Sequence, residues 1–425
     1  MGDTRSVPDF FTDPAVIDQP QAYYQRARAL CPALLEPYHG AVMVTGYEAA
    51  MEVLSRQADR FSSCNAVTGP LPPLPFRPQG DDIREQVRAN RSQMPWTDHL
   101  VTMDGVNHQL LRSLLQQLLT HTRLKSNEEF LRGLVDRLVG RLLPLGGVEI
   151  TRGYAHALST LVIADLLGVP EEDREELVQS LGLPPTQLGG DSAEKATTNP
   201  LIFLFDRFAG YLEARRREPR GDFLSDLAQA RLKDGSAPDP DVLVRLATFM
   251  FGAGQDTSAR LIGFSFQILG EDQEIQSSLR ADPSRIPNFI EEVLRFENPV
   301  KTLSRLAVKP ADVAGTHIPA GSVVTVCIGG VNRDPAHFAE PDRFIVDRPG
   351  VRDHISFSRG AHACIGAPLA RLEARLTLER FLQATRDIRI SETHHGPAGA
   401  RNYKREPTYL LNGLHELHIK WDSAP

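Results

Sequence analysis

Apolar residues recur at intervals of three and four over most of the chain, the spacing that places them on one side of an α-helix. This period predicts helices over residues 105–120, 126–143, 152–168, 201–217, 239–271, 284–297 and 366–385. Two short runs rich in β-branched residues, Ala41-Val42-Met43-Val44 and Ser322-Val323-Val324-Thr325-Val326, predict strands. Helix dominates, so the expected fold class is mainly α with small β-sheets. Two stretches keep neither period. Residues 62–102 include Gly69-Pro70-Leu71-Pro72-Pro73-Leu74-Pro75, and a long irregular segment inside a compact protein usually serves as a lid or binding loop. Residues 332–365 form a Pro- and Arg-rich meander that runs into Cys364.

With 41% hydrophobic and 24% charged residues among 425, the chain has the apolar material for a sizeable buried core. Its net charge of -7 and the lack of any long Lys/Arg run leave no footprint for nucleic acid. The N-terminus lacks the ~7–15 apolar residues of a signal peptide, and no run approaches the ~20 of a membrane span. A cytoplasmic protein without a membrane anchor is expected. Gly2 and Ser6 match an N-myristoylation pattern, but one short enough to arise readily by chance. Cys31, Cys64, Cys327 and Cys364 are far apart and form no Cys-x-x-Cys pair, so neither a zinc site nor a disulfide framework is indicated.

Candidate chemistry concentrates at three places. The loop Phe357-Ser358-Arg359-Gly360-Ala361-His362-Ala363-Cys364-Ile365-Gly366 leads directly into the last strong helix. A cysteine just before a helix has its thiolate favoured by free backbone N–H groups and the helix dipole, although a buried cysteine in an ordinary loop gives the same local pattern. In the 239–271 stretch, Gly252-Ala253-Gly254 interrupts the helical pattern at ~1 kcal/mol per glycine, and Gln255-Asp256-Thr257-Ser258 follows. Ala253 and Thr257 share a face, and a hydroxyl beside a carboxylate next to an opened helix can pass protons; a kinked core helix with solvated polar residues fits equally. His108 and Arg112, four apart on the 105–120 helix, can donate to one anion or simply form a solvated face.

Taken together, these segments resemble the cytochrome P450 family. The cysteine loop matches that family's heme signature, Phe-Gly-x-Gly-x-His-x-Cys-x-Gly, at every fixed position but one: Ser358 stands where the first glycine is expected. Ala253-Gly254-Gln255-Asp256-Thr257 resembles the oxygen-activation motif Ala-Gly-x-Asp/Glu-Thr, and His108 with Arg112 resembles its His-x-x-x-Arg. Glu292-Val293-Leu294-Arg295 resembles Glu-x-x-Arg, and Pro341-Asp342-Arg343-Phe344 resembles the segment whose arginine completes a buried triad with it. Asn332-Arg333-Asp334-Pro335 is similar to the start of the family's meander.

The resemblance implies a triangular-prism arrangement of helices around a buried heme, in a single domain of residues 1–425, with 62–102 as a substrate-access loop and 332–365 as meander and heme loop. It implies heme b with Cys364 as the axial metal ligand. His108, Arg112, Arg305 and His362 would meet the propionates, and Ala253, Phe357 and Gly366 would lie against the cofactor. Asp256 and Thr257 would manage protons, while Glu292, Arg295 and Arg343 would form the structural triad. The implied reaction takes O₂ and two electrons, from a separate ferredoxin and its reductase, and puts one oxygen atom into an apolar small molecule of terpenoid or steroid size. A peroxide-driven catalyst and a non-catalytic heme sensor or carrier are the alternatives. Trp96, Met250, Phe251, Val300 and Leu303 are expected to line the substrate pocket. Lys301 is expected to reach toward solvent rather than a substrate carboxylate. Arg112, Arg359 and Arg371 are candidates for a redox-partner docking face, and a monomer is expected.

Overall fold

The computed structural model describes residues 7–116, 120–181, 204–232 and 235–423. Its axis is the Pro240–Glu271 helix, 32 residues long. The Asp239 side chain accepts the Asp241 N–H at its start, and Pro240 sits in the first turn, where its missing N–H leaves no bond unmade. The middle of this helix is buried on nearly all sides, so its sequence is apolar around the whole circumference instead of along one stripe. It passes unbroken through Gly252-Ala253-Gly254, where an interruption was expected. The glycine cost is offset by close packing: a Cβ on Gly254 would stand 3.2 Å from Ile163 Cδ1 on the crossing helix Ala157–Leu167.

The other expected helices form around this axis as Gly105–Gln116, His121–Leu142, Phe205–Arg217, Ile286–Phe296 and Ala367–Ala384. The second begins earlier than its apolar period because the Thr120 side chain accepts the Arg123 N–H and caps it. The expected 152–168 helix divides into a π-type turn, Thr151–His156, and Ala157–Leu167, which ends at left-handed Gly168. Positions 117–119 and 201–203, expected to be helical, lie outside the described residues, as do Gly2 and Ser6.

A five-stranded sheet runs in the order Ala33–Leu35, Val42–Val44, Val323–Cys327, Thr302–Ala307, Phe61–Ser62. Both expected strands are in it, paired parallel with Met43 opposite Thr325. Strand Thr302–Ala307 runs antiparallel to Val323–Cys327, and its alternation places Leu303 and Arg305 on one face. One buried apolar cluster draws residues from Leu100 to Trp421, with the central helix through it, and a second underlies the sheet. Beyond the end of strand Phe61–Ser62, residues 63–102 carry the short helix Arg84–Ala89 and the single turns Arg91–Gln93 and Leu100–Thr102. The stretch 332–365 is irregular apart from the single turns Val351–Asp353 and Gly360–His362.

Candidate active site

The cysteine loop is a tight backbone device. Ser358 and Gly360 both adopt left-handed φ, +60° and +69°. At Gly360 no other residue fits, since a Cβ would stand 2.3 Å from the Leu54 carbonyl oxygen. The Cys364 N–H closes the loop onto the Phe357 carbonyl at 2.8 Å. Immediately afterwards the Ala367–Ala384 helix begins, and the backbone N–H groups of Gly366 and Ala367 favour the ionised sulfur. Burial pushes the Cys364 thiol up, and those groups with the charges of Arg112 and Arg371 pull against it. Cys364 is nevertheless exposed. A Cβ on Gly366 would stand 3.7 Å from its sulfur.

Beside the cysteine four cationic or donor side chains converge from three segments. The His108 and His362 rings lie 4.1 Å apart, and an Arg112 Nη2 donates to the Ala363 carbonyl. Arg305 is 5% exposed, and its guanidinium bonds the neighbouring Ser304 carbonyl at 2.7 Å. No carboxylate lies within ion-pair reach of it among the described residues. Burial pushes Arg305 down to about 10, against the pull of Asp104 and Cys64. Burial, with the charges of His362 and Arg112, also pushes His108 down to about 4, and its Nε2 has no partner. Among the described residues Asp104 is the acid nearby; it lies 3.8 Å from His362 and takes the Ser63 N–H at 3.0 Å. A buried guanidinium without a counterion beside an orphaned imidazole nitrogen asks for an anionic ligand.

On the central helix, Phe249, Ala253 and Thr257 succeed one another at i,i+4 spacing on one face; Ala253 is exposed and Phe249 and Thr257 are half-buried, as are Gly252 and Gly254 beside them. The Thr257 hydroxyl donates to the Ala253 carbonyl at 2.9 Å. Asp256 points elsewhere: its Oδ2 takes Arg260 Nε at 2.8 Å, while its Oδ1 is buried and unpartnered. Arg260 in turn holds Glu406 at 2.7 Å. Sequence reading missed both partners. Arg260 was legible as an i,i+4 mate of Asp256, whereas nothing local marks Glu406, which lies 146 residues away.

Comparison with known proteins accounts for this arrangement. The sequence profile of the family described as Cytochrome P450 matches residues 211–386. The cytochrome P450 monooxygenase PikC of Streptomyces venezuelae is 31% identical over 76% of this chain and 76% of its own. The chain belongs to the cytochrome P450 family. The substrate-free structure of Mycobacterium marinum cytochrome P450 CYP150A6 superposes with a TM-score of 0.92 at 48% identity, covering all of both chains. Bacillus megaterium CYP109E1, solved with testosterone, gives a TM-score of 0.77 at 26% identity over 95% of this chain and 99% of its own. This P450 is a monooxygenase of mainly α fold, and it takes heme b with Cys364 as axial thiolate. The donor set above fits that group: an open sulfur and unpaired cations suited to two propionates. No helix among its described residues is long and apolar enough to cross a membrane.

Two expectations about charged residues are corrected. Glu292 and Arg295 form a fully buried bidentate pair at 2.7 Å, but the third member is Arg348, whose Nε lies 3.0 Å and 3.1 Å from the two Glu292 oxygens. The Arg343 side chain is 71% exposed and pairs with Glu340; only its carbonyl joins the network, accepting from Arg295 and Arg348. Lys301 does not reach solvent. It is 2% exposed, and its Nζ donates to the carbonyls of Ile17 at 2.6 Å and Thr408 at 2.9 Å. Burial, with the nearby Arg405 charge, pushes it down to about 7.

The expected pocket residues divide. Phe251 is corrected: it is 0% exposed and packs on Phe208, on the far side of the helix from Ala253. Met250 is buried beside it, and the open position is Phe249. Trp96, at φ +59° and half-buried, packs edge-on against His99. Leu303 shares its strand face with Arg305, while Val300 bridges to Leu411. Elsewhere the Pro-rich segment borders a groove of about 270 Å³ with Asn65, Phe76, Met94 and Val323, away from the cysteine. Among the proposed docking residues, Arg359 Nη2 is turned onto the Asp353 carbonyl at 2.8 Å.

Proposed function

We propose that this P450 hydroxylates an apolar small molecule of terpenoid or steroid size, using electrons delivered by a separate ferredoxin and ferredoxin reductase. The observation that carries this reading is the open face of the central helix. Phe249 and Ala253 offer it an apolar surface, and Thr257 is its one hydroxyl. Binding there draws mainly on burial at ~25 cal/mol per Å², with few polar contacts to orient the ligand. The testosterone-bound relative agrees in ligand size and polarity.

Heme supplies the iron at which O₂ is reduced and one oxygen atom is transferred. The chain's own residues do the rest. His108, Arg112, Arg305 and His362 bind the propionates. Asp256, fixed at Oδ2 by Arg260, and the Thr257 hydroxyl would pass protons from solvent toward the open face of the helix. Glu292, Arg295 and Arg348 brace the meander behind the heme loop.

The test is product formation from a terpenoid or steroid panel under two supplies: O₂ with ferredoxin, reductase and reductant, or peroxide alone. Product labelled from ¹⁸O₂ in the first arm alone supports the reading. Product from peroxide alone identifies a peroxide-driven catalyst, and none in either arm identifies a sensor or carrier. In Thr257→Ala the binding spectrum should persist while most reducing equivalents divert to peroxide; unchanged coupling refutes the relay.

A further inference from the structure

Behind the cysteine loop lies a second charge cluster that no motif announces. Glu291, beside Glu292 on the Ile286–Phe296 helix, is 1% exposed. It takes Arg371 Nε at 2.6 Å and Nη2 at 2.9 Å, and lies 3.0 Å from His354 Nε2. His354 Nδ1 accepts the Ser356 N–H at 3.2 Å, so the ring proton is on Nε2 and the imidazole is neutral. Arg371 is therefore the one cation opposite Glu291. Burial works to raise the Glu291 carboxyl, but His354 and Arg371 outweigh it and hold it down to about 2.

The clamped guanidinium rests on the Phe357 ring, its Cζ 4.5 Å from the centroid. Phe357 is tied in turn to the cysteine, because its carbonyl takes the Cys364 N–H at 2.8 Å. From back to front the order is Glu291, Arg371, Phe357, Cys364, so the positive end of the ion pair faces the loop. With its side chain 35% exposed, Arg371 depends on the bidentate clamp to stay there.

We propose that Arg371 is a positioning residue for the iron's thiolate ligand: held against Phe357 by Glu291 and His354, its fixed positive charge offsets the charge on Cys364 and makes the bound iron easier to reduce. This rests on Cys364 as the axial ligand. It also separates Arg371 from the expected docking role, since Nε and Nη2 are already committed within the chain.

The experiment is the midpoint potential of the substrate-free, heme-loaded protein, read with no redox partner present. Arg371→Met should shift it downward with the long-wavelength band of the reduced carbon monoxide complex intact. Arg371→Lys, which keeps a charge but loses the fork, should shift it less in the same direction. Arg380→Met, nine residues on along the same helix and paired with Asp136, should leave it unmoved. Should the methionine variant fail to accumulate, Arg371→Gln retains an amide donor for Glu291 while removing the charge. A potential equal to the parent's in the charge-removing variant, or an equal shift in Arg380→Met, overturns the proposal. Loss of the role as a docking contact only would appear as weaker partner binding with the potential unchanged. A parent protein without the thiolate band would instead refute the ligand assignment beneath it.

Discussion

Ser358 occupies a glycine position with a glycine's backbone, φ +60°, and its Oγ is buried without a partner. A left-handed non-glycine residue costs about 1–2 kcal/mol, partly recovered by the lower chain entropy of serine when unfolded. Ser358→Gly should therefore stabilise the protein by about 1 kcal/mol in urea melts of the heme-loaded form; a loss of stability would mean that the loop does not need the left-handed turn. Lys301 is the opposite case, a charged residue consumed by structure. Lys301→Met removes the Nζ donor shared by the Ile17 and Thr408 carbonyls. It should cost about 1–3 kcal/mol while leaving spectral binding of apolar ligands unchanged. Binding of acids that the variant abolishes would place the lysine at the substrate instead.

At the scale of elements, the meander is fastened to the Ile286–Phe296 helix by Glu292, Arg295 and Arg348. Removing one partner from a buried ion network typically costs about 3–5 kcal/mol, so Arg348→Ala should lower the denaturation midpoint severely. Arg343→Ala should stay within about 0.5 kcal/mol of the parent, because only its carbonyl takes part. Equal effects in the two variants would restore Arg343 to the triad. The Ala367–Ala384 helix carries a different device. Glu373 is 1% exposed, has Ser159 Oγ at 2.8 Å, and has no ion-pair partner among the described residues. Burial, opposed by the Ser159 and Ser258 hydroxyls, pushes its carboxyl from 4.5 up to about 8. The folded chain thus holds a proton that the unfolded chain releases, so stability falls as pH rises from about 4.5 to 8 and levels off above. Glu373→Gln should remove that decline, and the variant's advantage over the parent in melts should widen from pH 5 to pH 8. Parallel stability curves would show that Glu373 is ionised throughout.

For the whole molecule, the fold gathers His108, Arg112, Arg305 and His362 from separate stretches of chain, and the buried Arg305 guanidinium and the orphaned His108 Nε2 lack the anionic partner that a propionate would supply. Heme should therefore raise the melting temperature well above that of the heme-free protein. The dimethyl ester of heme, which lacks the carboxylates, should bind at least about tenfold more weakly, since each charge-assisted hydrogen bond contributes about 1.5–3 kcal/mol. Equal affinity for the two would remove the propionates from this cluster. Much of this architecture was legible beforehand. Helix period located the Pro240–Glu271 and Ala367–Ala384 helices, and the cysteine loop, Ala253 to Thr257 and Glu292 to Arg295 were readable because each motif is local, with its residues within about ten positions of one another. What the sequence could not determine is which distant residue completes a site. Arg348 instead of Arg343, Glu406 behind Arg260, the burial of Lys301 between two carbonyls, and the outward turn of Phe249 in place of Phe251 all depend on how remote segments pack. Ion pairing and burial act through space, and separations such as the 146 residues between Arg260 and Glu406 leave no spacing in the chain to read.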